Sequence, residues 1–144
     1  MWIHEIFEKI CNEEDRDKRI ELLNENDNFV TRTFLALAYN DKIKLAIPEG
    51  KPPSFKPRST KGGLPSPTIS EYSTVLKQLR SCVTTTQSTQ LEKEAAFTKL
   101  VNILHPEDAL ILIAIKDGKL LTFKRKKYSK ITKSLAESAL KDVT

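Results

Sequence analysis

The chain has 144 residues, 39% of them hydrophobic, with 24 Lys/Arg against 19 Asp/Glu and a net charge of +5. That suits one compact domain burying about 68–70% of its unfolded surface, and it leaves two independent cores cramped. No apolar run of about 18 residues is present, and the opening MWIHEIFEKICNEED mixes charge into what a signal peptide keeps apolar, so a soluble, unexported, cytoplasmic protein is expected.

Charge is distributed unevenly. Residues 1–46 hold 7 Lys/Arg against 10 Asp/Glu, 47–69 hold 4 against 1, 70–115 hold 4 against 5, and 116–144 hold 9 against 3. The positive surplus lies in a middle segment and in the tail. Such asymmetry suits a polyanion such as nucleic acid, and it equally suits a solvated basic tail.

Ile3, Ile6, Phe7, Ile10 and Cys11 recur at helical spacing and predict an amphipathic helix over 2–13, with Glu5, Glu8 and Lys9 on its other face. A second helix is expected over about 15–24, offering Ile20, Leu22 and Leu23. The cluster Asn24–Asn28 breaks it. Asp27 or Asn28 then caps a third helix over 28–40 that presents Phe29, Val30, Phe34, Leu37 and Ala38 to a core. Ile43, Leu45 and Ile47 alternate, which allows a short extended segment as readily as another helical turn.

Residues 48–67 hold six of the seven prolines and three of the four glycines, which excludes a helix or a central strand. A loop this long is usually functional or disordered. Its Lys51, Lys56, Arg58, Lys61 and Phe55 suit contact with a nucleic-acid strand; the same residues suit a mobile connector kept soluble by charge.

Thr68 or Ser70 can cap a fourth helix reaching about residue 82, with Val75, Leu76, Leu79 and Cys82 inward. A fifth, over 90–104, is expected to bury Leu91, Ala95, Phe97, Leu100, Val101 and Leu104. His105 enters the next, where Pro106 fits the first turn and Glu107 and Asp108 suit the positive end of the helix dipole. LILIAI is apolar on every side, so 106–116 reads as the central core helix, closed by Asp117-Gly118. Residues 119–128 read as a turn or extended segment, after which Ser129 caps a last helix carrying Ile131, Leu135, Ala139 and Leu140.

Catalytic and metal chemistry find little support. His4, His105, Cys11 and Cys82 are far apart and lack paired ligand spacing, so no metal is implied, and the cysteines read as free thiols. Glu13-Glu14-Asp15 has no companion base and suits a solvated junction between helices. Ser59-Thr60-Lys61-Gly62-Gly63 lacks the Gly-Lys-Ser/Thr order of a phosphate-cradling loop. What remains is Lys124-Arg125-Lys126-Lys127 followed by an expected helix start at Ser129-Lys130. Exposed amides and the helix dipole attract phosphate, and the lysines strengthen that field; an ordinary capped helix after a basic turn explains the same residues.

The order of elements resembles a known domain. Residues 3–47 (IHEIFEKICNEEDRDKRIELLNENDNFVTRTFLALAYNDKIKLAI) look like the opening helices of the DNA-binding domain of the ATP-dependent DNA ligases of T-even phages. The tail 109–140, an apolar helix, then GKLL, then KKYSKITKSLAESAL, looks like that domain's closing helices, where family members place a turn and a helix N-terminus on the minor-groove backbone. The middle loop is not matched. By this resemblance Lys124, Arg125, Lys126, Lys127, Ser129, Lys130, Thr132 and Lys133 are expected to contact DNA. Ligation itself is not expected: the family's nucleophile lies in Lys-x-Asp-Gly, whereas this chain has Lys116-Asp117-Gly118 and stops before a nucleotide-binding domain. Through PEGKPP and HPEDALILIAIKDGKL the chain also resembles a family of small proteins of T-even-type tailed phages, including cyanophages, which implies no particular activity.

The expectation is therefore an all-α single domain, 1–144, of about six to seven helices, with a basic loop at 48–67 and a basic turn and helix at 116–144. It is expected to be a non-catalytic phage accessory protein that binds duplex or nicked DNA in the host cytoplasm without a cofactor, through the tail residues and Lys56, Arg58 and Lys61. The alternative is a phage interaction factor that binds a polymerase, a sliding clamp or the capsid, and so associates with the virion.

Overall fold

A computed structural model describes residues 2–40, 45, 47–48, 50, 52, 74, 76–77 and 89–140. Among them are seven helices and no strand, Leu45 being a lone bridge residue. The helices are α1 (Ile3–Cys11), α2 (Arg16–Glu25), α3 (Phe29–Tyr39), α4 (Gln90–Ile103), α5 (Pro106–Lys116), α6 (Phe123–Lys126, a single turn whose Lys124, Arg125 and Lys126 have positive φ) and α7 (Lys133–Ala139), with a 3-10 turn at Leu120–Thr122. The protein is mostly helical, as its periodicities predict.

Side-chain caps set most boundaries. Asp15 accepts from the Asp17 amide at 2.9 Å, Asn28 from Thr31 at 3.0 Å and Thr89 from Glu92 at 3.2 Å, each satisfying an amide that has no partner inside its helix. α5 ends in a Schellman arrangement. The Lys119 amide donates to Ala114 O at 2.8 Å and the Gly118 amide to Ile115 O at 3.0 Å, with Gly118 at φ +70°.

α5 is the centre. Ala109, Ile111, Leu112, Ile113, Ala114 and Ile115 are all buried, and α1, α3, α4 and the 3-10 turn pack on it. α2 sits outside α1 and packs on α7, where Arg16 donates to Ser134 Oγ at 2.8 Å. Phe7, Phe34, Phe97, Leu100 and Tyr128 complete one continuous core.

Three inward expectations fail. Phe29 is 45% exposed and Leu91 78%, because each lies in the first turn of its helix and projects beyond the apolar stripe; Ala95 also faces out. Thr31 and Leu35 take the buried places on α3 instead. The last helix also starts later than expected. Ser129 does not cap it: Ser129 and Ile131 donate their amides back to Lys126 O and Tyr128 O in successive turns, and it is Thr132 that has extended backbone and accepts from the Leu135 amide at 3.2 Å. Of the expected fourth helix, Thr74, Leu76 and Lys77 are described and helical, with Leu76 buried; Val75, Leu79 and Cys82 lie outside the described residues.

Candidate polyanion-binding turn

The basic run is positioned from both sides by α5. At the start of this helix His105 Nδ1 accepts from the Glu107 amide at 3.2 Å, and Asp108, fully buried, accepts from the Ile3 amide at 3.3 Å, the His4 amide at 2.8 Å and His4 Nδ1 at 2.7 Å. One carboxylate thereby satisfies the first amides of α1 and fixes its N-terminus beside that of α5. Trp2, His4 and His105 stack over this junction, the two imidazole centroids 4.4 Å apart. Burial lowers the proton affinity of His4, but the hydrogen bond and charge of Asp108 more than reverse this and leave its pKa raised. His105 is lowered, first by burial and then by the charge of His4.

At the other end, the Lys116 side chain is only 1% exposed and donates to Pro48 O at 2.7 Å, Gly50 O at 3.0 Å and Asp117 Oδ1 at 2.5 Å. Asp117 in turn accepts from the Gly50 amide at 3.1 Å. Lys116 thus ties the start of the proline-rich segment to the end of α5.

Beyond Leu120 the chain reverses. Lys124 (φ 47°, ψ 54°), Arg125 (φ 59°, ψ 43°) and Lys126 (φ 66°) form one left-handed turn, closed by the Lys127 amide on Phe123 O at 3.0 Å. Left-handed backbone costs a side-chain-bearing L-residue roughly 1–2 kcal/mol, so this turn is strained unless its surroundings hold it. Two rings do so. Phe123 and Tyr128 stack with centroids 5.9 Å apart and 12° between planes, and Tyr128, fully buried, meets Phe7 edge-on at 5.9 Å. With both ends anchored inward, the four basic side chains between them are exposed.

They are not equivalent. Lys124 Nζ lies 2.6 and 2.9 Å from the Glu107 oxygens; Lys127 Nζ lies 2.8 Å from Glu8 and 3.7 Å from Glu107; Tyr128 OH donates to Glu107 at 3.2 Å. Burial raises the Glu107 pKa, but Lys124, Tyr128 and Lys127 together bring it below the usual carboxylate value. The pKa of Lys127 is raised, chiefly by its bond to Glu8. Arg125 and Lys126 make no ion pair among the described residues.

Of the other expected contacts, Ser129 and Lys133 are exposed, while Lys130 and Thr132 are half-buried. The main chain at Lys130 approaches Cys11, whose thiol is pushed up by burial against the pull of Lys130. The expected phosphate seat at a helix start beside Ser129-Lys130 is absent, since α7 begins at Lys133 and Thr132, not Ser129, caps it by accepting from the Leu135 amide. Lys56, Arg58, Lys61 and Phe55 lie outside the described residues. Sequence reasoning missed Glu8 and Glu107, which approach the basic run only through packing of α1, α5 and the turn, and Tyr128, which adjoins the run but meets Glu107 only in the fold.

Among the described residues no group of three or more His, Cys, Asp or Glu is arranged to hold a metal ion, and no helix is long and apolar enough to cross a membrane. No curated protein and no solved structure matches the chain. One family model does, over residues 6–122, from α1 to the 3-10 turn, ending just before the basic run. The chain belongs to that family, a family of unknown function designated DUF6433.

Proposed function

We propose that this protein binds the phosphate backbone of duplex or nicked DNA without catalysis, as a phage accessory factor. What carries the reading is the left-handed turn, which holds Lys124, Arg125, Lys126 and Lys127 outward on a strained backbone anchored by the half-buried Phe123 ring and the buried Tyr128 ring. A solvated tail needs no such strain, whereas display of charge to a ligand gives it a use. Arg125 and Lys126 are the primary contacts and Lys133 a flanking one. Binding of this kind positions the protein without reading bases. The resemblance of the tail to the closing helices of phage ligase DNA-binding domains supplies the ligand class, with the turn, rather than a helix start, in the contacting role.

A second reading has one observation in its favour. A shallow pocket of about 120 Å³, lined mainly by Ala38, Tyr39, Ile115, Leu120 and Leu121, opens beside the turn, and Leu121 is itself exposed. It would take one apolar side chain of a polymerase, clamp or capsid protein.

Fluorescence anisotropy with labelled duplex, nicked and single-stranded DNA at two salt concentrations separates the two. Backbone binding predicts affinity for duplex and nicked DNA that falls steeply with salt. Absence of binding at low salt leaves the protein-partner reading.

A further inference from the structure

Glu107 is not a neutral bystander of the basic turn. Lys124 Nζ, Lys127 Nζ and Tyr128 OH converge on its carboxylate at 2.6, 3.7 and 3.2 Å. Glu8 holds Lys127 from the other side at 2.8 Å. Two ammonium groups and a phenol directed at one pair of oxygens form a seat for a tetrahedral oxyanion, and the carboxylate stands where a phosphate oxygen would. Burial and Glu107 hold the Tyr128 phenol protonated well above its usual range, so it remains a donor. The seat is open on its lysine side, where Lys124 is 40% exposed and Lys127 37%; Glu107, at 18%, covers the buried Tyr128 hydroxyl.

We infer that this seat is a phosphodiester-binding site, closed in the free protein by Glu107 and Glu8 acting as internal competitors. The inference rests on the nucleic-acid reading and goes beyond it by dividing the basic run in two. Arg125 and Lys126 are available at first encounter. Lys124 and Lys127 join only when a backbone phosphate displaces the carboxylates, which then turn to solvent. Exposed ion pairs are weak, so the closure is a threshold that a polyanion can overcome: two such pairs together amount to about two- to thirty-fold in affinity. A ligand with one isolated charge gains little from opening it, because it lacks the neighbouring phosphates that engage Arg125 and Lys126.

The test compares the parent chain with E8Q/E107Q and with the charge-matched control E21Q/E25Q, whose side chains are exposed on α2. A labelled DNA duplex is the probe, and circular dichroism checks each fold. Freed lysines should tighten binding of E8Q/E107Q by about two- to thirty-fold over the control. They should also steepen its log–log salt slope by up to about 1.8, or about 0.9 for each added phosphate contact. Adding Y128F, which keeps the ring and removes the donor, should reverse part of the gain. If the parent binds DNA and E8Q/E107Q matches the control in affinity and slope, the competitor inference is overturned while the nucleic-acid reading stands. If neither the parent nor E8Q/E107Q binds DNA at low salt, both are overturned.

Discussion

Asp108 and His4 form the pair that joins the two helix starts: the buried carboxylate accepts from His4 Nδ1 at 2.7 Å and from the His4 amide at 2.8 Å. With an ionised carboxylate opposite, Nδ1 carries the proton. Removing the carboxylate strands an imidazole N–H and two amides at a buried junction. D108A should therefore cost about 1–3 kcal/mol in urea unfolding, as leaving buried donors without an acceptor does. D108N, which keeps an acceptor oxygen, should cost less. A D108A variant as stable as the parent contradicts the anchoring role.

The two stacked histidines give the junction opposing responses to pH. His4 is raised above 6.5: burial acts against its protonation, and Asp108, Glu8 and Glu5 outweigh it. Its stabilisation is complete below 6.5 and is lost as pH rises through its folded value. His105 is lowered below 6.5 by burial and by His4, with Asp108, Glu107 and Glu5 pulling the other way. Its contribution is present above 6.5 and is lost as pH falls through its folded value. H105N, which retains a cap, should remove the acid-side loss, and H4Q should remove the fall above 6.5. Unfolding free energies measured between about pH 5 and 8 check both, and a curve that neither variant changes refutes the assignment.

The strained turn predicts a variant in which stability and binding part. Lys126 sits at φ 66°, where glycine has no side-chain clash. K126G relieves roughly 1–2 kcal/mol of left-handed strain, and the freedom of glycine in the unfolded chain offsets about 0.5–1 kcal/mol of that. Thermal unfolding should show K126G as stable as the parent or up to about 1.5 kcal/mol more stable, while DNA binding weakens. Loss of more than about 1 kcal/mol would show that the turn is held by Lys126 itself.

Much of the scaffold was legible because its signals are local. Asn28, Pro106 and Gly118 mark helix ends by their own chemistry, and LILIAI has no polar face to expose, so the central helix follows from composition. Leu91 and Phe29 misled because first-turn positions carry the periodicity without reaching the core. The site was legible only in its charge. No glycine, asparagine or aspartate announces a left-handed turn within Lys124-Arg125-Lys126, whose conformation comes from the Phe123 and Tyr128 rings packing beneath it. Ser129 and Thr132 are both competent caps three residues apart, and burial of Tyr128 and Ile131 decides between them. The meeting of Lys124 with Glu107 and of Lys127 with Glu8 depends on tertiary placement that no spacing in the chain encodes.

The central claim, that the exposed turn neutralises backbone phosphates, is tested most directly by the salt dependence of duplex binding in R125Q/K126Q beside the parent. These two side chains make no ion pair among the described residues, so replacing them disturbs no observed carboxylate contact. The log–log slope should flatten by about 1.8, with a similar loss of affinity for every duplex sequence. Stability should stay within about 0.5 kcal/mol of the parent, as for most exposed substitutions. A folded R125Q/K126Q that binds duplex DNA with the parent's affinity and slope contradicts the account.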